Sequence, residues 1–242
     1  MKLLRSTRGV LSLLSVLVLS LMLLGSASAD SKTYTGSSGN LSAGATFSLT
    51  GNTLTVTLTN TSNADVLVPT DVLTAVWFNV TSALTPGSAG LNGSSVYYGS
   101  ISNDGNGWGY YSGLNGGAHG MNDGITSAGF SIGGGHANFG NGSALQGLDY
   151  GLLSHGDNSG TGNTGVTGHG PLAKNCGVFT LTVANGFNLS QLGNYVIFQY
   201  GTSLSDGSFS GFVRQVPEPS ALTMLFSGLV SGGVLLRRKM KA

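Results

Sequence analysis

The clearest pattern in the chain is an alternation of period two within residues 41–60. Leu54, Val56 and Leu58 alternate with Thr53, Thr55, Thr57 and Thr59, which puts apolar side chains on one face of a strand and hydroxyls on the other. Residues 178–183 repeat it with Val178, Leu181 and Val183 set among Phe179 and threonines. The segment 72–80 is richer, with Val72, Val76, Trp77, Phe78 and Val80. It reads as a central strand, or one buried on both faces, and Pro69 just before it suits a strand entrance. Residues 195–200 and 209–213 complete the set, and Gly, Asn and Ser clusters separate these segments at turn spacing. No stretch between residues 30 and 214 carries a 3.6-residue apolar stripe. The expected fold is therefore all-β: a single antiparallel sandwich or distorted barrel with long Gly-rich loops.

Two apolar runs stand outside that pattern and predict flanking helices. At the front, Lys2, Arg5 and Arg8 precede a hydrophobic run over 10–25 and then Ala27-Ser28-Ala29. Charge, apolar run and small-residue cleavage site in that order define a secretory signal peptide over residues 1–29. Signal peptidase and the secretion machinery are thus expected partners, with Ala27 and Ala29 marking the cleavage site and a mature chain beginning at Asp30. At the back, Val216-Pro217-Glu218-Pro219 precedes seventeen uncharged residues, 220–236, and then the basic run 237–241 with Arg237, Arg238 and Lys239. Seventeen residues make a helix of about 25 Å, the short end of a transmembrane span. Gly228, Gly232 and Gly233 suit a helix in lipid better than one in water. The positive-inside rule keeps the basic run in the cytoplasm and Pro217–Pro219 outside. Two prolines hold Glu218 in extended, accessible backbone.

In that order, Val-Pro-Glu-Pro, a glycine-bearing hydrophobic helix and a terminal Arg-Arg-Lys resemble the PEP-CTERM sorting signal of bacterial exosortase substrates. The resemblance covers residues 215–239, and a tail of the same kind occurs on some proteins named for ice binding. It implies an exosortase partner that cleaves near Pro217–Pro219. The chain would be held in the inner membrane as a precursor by its C-terminal helix, then passed to the cell surface or extracellular matrix. Residues 53–61, Asp65-Val66-Leu67-Val68-Pro69, 72–78 and Phe198-Gln199-Tyr200-Gly201-Thr202-Ser203-Leu204 are similar to recurring stretches of one exosortase-dependent surface protein family. That likeness carries over no catalytic residue.

Composition narrows the role of the exported part, residues 30–214. Charged residues are 8% of the chain, against about 25% in an average globular protein. Within 30–214 only Lys32, Lys174 and Arg214 oppose eight aspartates; a body of that sign is no nucleic-acid binder and would seek neither phosphate backbones nor anionic lipid. The single cysteine, Cys176, excludes an internal disulfide framework and is read as opening a half-buried strand. Residues 87–170 hold 26 of the 41 glycines, yet aromatic anchors recur there, so short strands joined by long loops are expected rather than disorder.

Candidate chemistry is sparse. His119, His136, His155 and His169, with Asp104, Asp123, Asp149 and Asp157, match no short ligand motif. Asn103–Gly107 and His155–Asn158 fall short of a calcium loop and read as turns. No metal or other cofactor is expected. The first functional expectation is a non-enzymatic surface or matrix protein. The alternative is a carbohydrate-binding module for exopolysaccharide, with Trp108, Tyr110 and Tyr111 offering stacking faces from the glycine-rich loops.

Overall fold

The structure is a computed structural model and describes residues 30–90, 95–99, 107–133, 135–140, 145 and 147–214. The signal peptide, the sorting signal and positions 103–106 lie outside the described residues.

Among the described residues, fourteen strands join in one sheet. The first five are β1 (Asp30–Ser38), β2 (Leu41–Thr50), β3 (Thr53–Asn60), β4 (Leu73–Val80) and β5 (Thr85–Gly90). Short strands cross the glycine-rich middle: β6 (Val96–Tyr97), β7 (Gly109–Ser112), β8 (Asp123–Thr126), β9 (Gly135–Asn138) and β10 (Leu152–Leu153). The chain ends in β11 (Leu172–Lys174), β12 (Cys176–Thr182), β13 (Leu192–Tyr200) and β14 (Ser208–Val213).

Neighbours run β5-β12-β3-β2-β1-β14-β13-β4, and β4 continues into β8, β7 and β9. Past β9 the Gly140 amide donates to the Gly87 carbonyl of β5 at 2.6 Å, so the sheet bends round into a nearly closed antiparallel barrel. Closure of this kind removes the open edges that invite aggregation. A small branch, β10-β11-β6, leaves the same edge of β4 as β8, at the first residue of the strand, through Leu152 and Leu73.

Alternation decides what fills the barrel. Val56, Leu54 and Leu58 of β3 point inward beside Phe47, Tyr34, Phe78, Phe179 and Phe198, all essentially inaccessible. The threonines of β3 face out, in register with Thr182 and Thr180 of β12 on one side and Thr50, Ser48 and Thr46 of β2 on the other. Cys176 opens β12 and is half-buried. In β4 the residues from Leu73 to Phe78 are all buried. Val76 and Phe78 face the barrel interior, whereas Ala75 and Trp77 lie under a second cluster with Tyr111, Leu114, Ala118 and Met121.

The glycines and the aromatics are two halves of one packing device. Gly124 stands in register with Trp77, and a Cβ there would fall 2.0 Å from the indole Cε3. Gly211 lies under Phe198 in the same way, with 2.4 Å to Cε2. A glycine in a strand normally weakens it, but here it lets a ring lie flat on the neighbouring backbone.

Antiparallel pairing gives the barrel two distinct ends. One carries the loops 39–40, 61–71 and 201–207. The other carries the turn 51–52, the start of β13 and the end of β14, where the Arg214 amide donates to the Thr33 carbonyl at 2.8 Å.

Candidate functional site

At the first of these ends, the turn before β2, the loop after β3 and Ser154 enclose a cleft of ≈ 240 Å³. Its walls include Leu41 and Val66, with Asn40, Ser62, Asp65 and Asp71 as polar groups. The loop after β3 is held against the loop after β10 by a reciprocal pair of aspartates. Asp65 accepts from the Asn158 amide at 2.9 Å and from the Thr161 hydroxyl at 2.5 Å. Asp157 accepts in return from the Val66 amide at 3.2 Å. The Lys174 ammonium donates to the Asp157 carbonyl at 2.7 Å, and the Ser154 hydroxyl donates to the Ala64 carbonyl.

The two carboxyls are pushed in opposite directions. The Thr161 hydroxyl, then the Asn158 amide, hold Asp65 below the usual carboxylate range. Burial pushes Asp157 up; the Val66 amide works against it, and the nearby charge of Asp65 adds to it. Asp157 is 8% exposed and its Oδ2 has no hydrogen-bond partner when ionised, while a proton on it can be donated to the neighbouring Asp65 carboxylate. Split pKa values are what an acid–base pair needs. However, Asp157 lies outside the cleft, and Asp65 spends both oxygens on the opposite loop. The arrangement is a latch between loops.

The latch has a signed pH dependence. A carboxyl whose folded pKa is raised contributes stability that is complete below its unfolded value, about 4, and is lost as pH rises through the folded one. Asp65, with its pKa depressed, contributes stability that is present above its unfolded value and lost as pH falls through the folded one. Asp157→Asn keeps the acceptor for Val66 and supplies the proton that Asp157 lacks when ionised. It is therefore expected to raise the melting temperature at pH 7, with the gain shrinking toward pH 4, whereas Asp65→Asn lowers it at pH 7. A loss of stability in Asp157→Asn at both pH values would contradict the latch.

The rings expected to stack on sugars are packed instead. Trp108, Tyr110 and Tyr111 are 5%, 3% and 4% exposed. Trp108 donates through Nε1 to the Tyr150 carbonyl at 2.9 Å and lies on Phe179, with ring centroids 4.8 Å apart. Tyr110 faces the barrel interior, stacked on Phe78, and donates to Asp123 at 2.6 Å. Burial raises the pKa of both members of that pair, more than their hydrogen bond lowers Asp123. Tyr111, next along β7, points to the other face, packs on Trp77 and donates to the Gly129 carbonyl. Their glycine neighbours signal close packing, so no stacking face is presented at these three positions.

Each histidine has its own partner. His119 Nε2 meets Gln199 Oε1 at 2.6 Å, and His136 lies on the Tyr111 ring. His155 Nδ1 meets Asn175 Oδ1, and His169 Nδ1 meets Asp149, each at 3.2 Å. Among the described residues, no three His, Cys, Asp or Glu side chains gather as a metal site.

No family model matches the chain, and no curated protein or solved structure matches it at a significant level.

Proposed function

We propose that this chain is a non-enzymatic protein of the bacterial surface or extracellular matrix, exported by its signal peptide and sorted by an exosortase through its C-terminal signal. The observation that carries the reading is the order Pro217-Glu218-Pro219, apolar 220–236 and Arg237-Arg238-Lys239, close behind the last strand. The barrel is built for such handling. Its described strands lie within Asp30–Val213, between the two expected cleavage sites. The first and last of them, β1 and β14, are neighbours, with Tyr34 opposite Val213. Cutting at both expected sites keeps all fourteen described strands. The cleft at the far end is bordered by the latch, whose Asp65 spends both oxygens on the opposite loop. An exopolysaccharide-binding reading through Trp108, Tyr110 and Tyr111 finds no exposed ring there.

In an exosortase-bearing host the chain is expected in the surface or medium fraction, and in the same host lacking the exosortase it is expected in the inner membrane. An identical distribution in the two hosts would refute the proposal.

A further inference from the structure

Few large apolar side chains are exposed in the described residues, and two of them form a pair. Phe212 of β14 is 62% exposed and Tyr195 of β13 is 39% exposed. They stand opposite each other in register with ring centroids 6.3 Å apart. Val213 beside them is 36% exposed. Nothing in the barrel uses these rings: the core alternates past them through Val196, Phe198 and Gly211. They lie on the outer wall beside the end where the chain leaves at Arg214.

We propose that this wall is a membrane-facing surface that seats the barrel on the headgroup layer of the bilayer while the C-terminal helix is attached. The inference rests on the anchored-precursor reading. Ser220 comes six residues after Arg214, at most about 20 Å of extended chain. The end bearing Phe212 is thus confined to the bilayer surface, whichever way the barrel turns. Charge then selects the turn. Lys32 and Arg214, two of the three cations in residues 30–214, lie at this end. Asp65, Asp71, Asp157 and Asp206 lie in loops at the opposite end. Lys32 is held against the Leu192 and Gly193 carbonyls, so among the described residues Arg214 is the free cation of this end, which it shares with exposed Asp30 at the start of β1. Aromatic rings beside an exposed arginine suit the interface, where one side of a residue is apolar and the other wet. An anionic leaflet attracts the cationic end and repels the acidic one. Seated in this way, the barrel turns the acidic cleft outward.

The test uses the mature chain, residues 30–242, in phosphatidylethanolamine–phosphatidylglycerol vesicles doped with brominated phosphatidylcholine. A fluorophore is placed at Thr35→Cys, opposite Phe212, or at Leu67→Cys at the far end, both in a Cys176→Ser background. A Gly/Ser spacer of about 30 residues, with a root-mean-square span of about 30 Å, is inserted after Arg214 so that the tether alone no longer holds the barrel down. With the spacer, the label at position 35 is expected to be quenched several-fold more than the label at 67. The added exposed changes Tyr195→Ser and Phe212→Ser are expected to abolish that difference. Equal quenching at both positions, in protein that still floats with the vesicles, overturns the membrane-facing surface and leaves the anchor standing. Failure to float overturns the anchor and this proposal with it. A label at 35 that responds to a soluble neutral polysaccharide and not to lipid reassigns the wall to glycan and also overturns the proposal.

Discussion

Phe47→Ala is expected to destabilise the barrel by about 3–5 kcal/mol. Phe47 is fully buried on β2 and meets Tyr34 of β1 and Phe78 of β4 edge to face, at 5.6 Å and 5.2 Å between ring centroids. One side chain therefore ties strands from both sides of the barrel across its interior. Its removal forfeits the transfer energy of the ring and leaves a cavity that strands fixed by their ladders cannot collapse to fill. For a chain of this length the melting temperature should fall by roughly 10 °C, a large part of a typical stability of about 5–15 kcal/mol. The matching control is Phe212→Ser, expected to change stability by no more than about 0.5 kcal/mol because that ring packs on no core residue. Urea unfolding of the two variants separates them. Equal losses would mean that the barrel interior is not the core.

The second large effect concerns the tail. Glu218→Ala is expected to leave export and membrane insertion intact and to block processing, so that an uncleaved membrane form accumulates. On the proposed sorting-signal reading, Glu218 would stand between its two prolines outside the lipid, with its carboxylate open to recognition. On the same reading, the apolar run 220–236 would hold the substrate in the bilayer and Arg237–Lys239 would stop and orient it. Removing those three basic residues should instead disturb retention and topology. Immunoblots against a tag at the C-terminus, made on membrane fractions of an exosortase-bearing host, tell the two apart. If Glu218→Ala loses its tail at the wild-type rate, the run 220–236 is a plain anchor.

How far the fold could be read from the sequence depended on which interaction makes each strand. The threonine alternation of β3 and β12 announces itself because each strand has one wet and one dry face, and the two prove to be direct neighbours in register. Residues 72–80 read as a central strand or one buried on both faces, and over 73–78 the strand is both, because an outer cluster covers Trp77 as thoroughly as the core covers Phe78. β1 and β5 were illegible. β1 shows one large apolar residue, Tyr34, in a polar run, and β5 reads Thr-Pro-Gly-Ser-Ala-Gly, which is turn chemistry. Each is a strand because a neighbour pairs with it, a tertiary effect that propensity does not carry. The glycine-rich middle was legible in kind, as short strands packed through aromatics. Its consequence for Trp108, Tyr110 and Tyr111 was not, because glycine signals equally an open loop and a ring lying on backbone. Asp65 and Asp157 are far apart in the chain, and only the meeting of the loops after β3 and β10 makes them a pair. The exposed Tyr195–Phe212 pair was hidden inside strands whose apolar content looked like core throughout.

The central claim is that this barrel is cut free at both ends on its way to the surface, and the intact mass of the chain recovered from an exosortase-bearing host tests it most directly. The account predicts a species that begins at Asp30 and ends near Pro217–Pro219. A mass that retains residues 1–29, or that retains 220–242 on protein recovered from the surface, would contradict it.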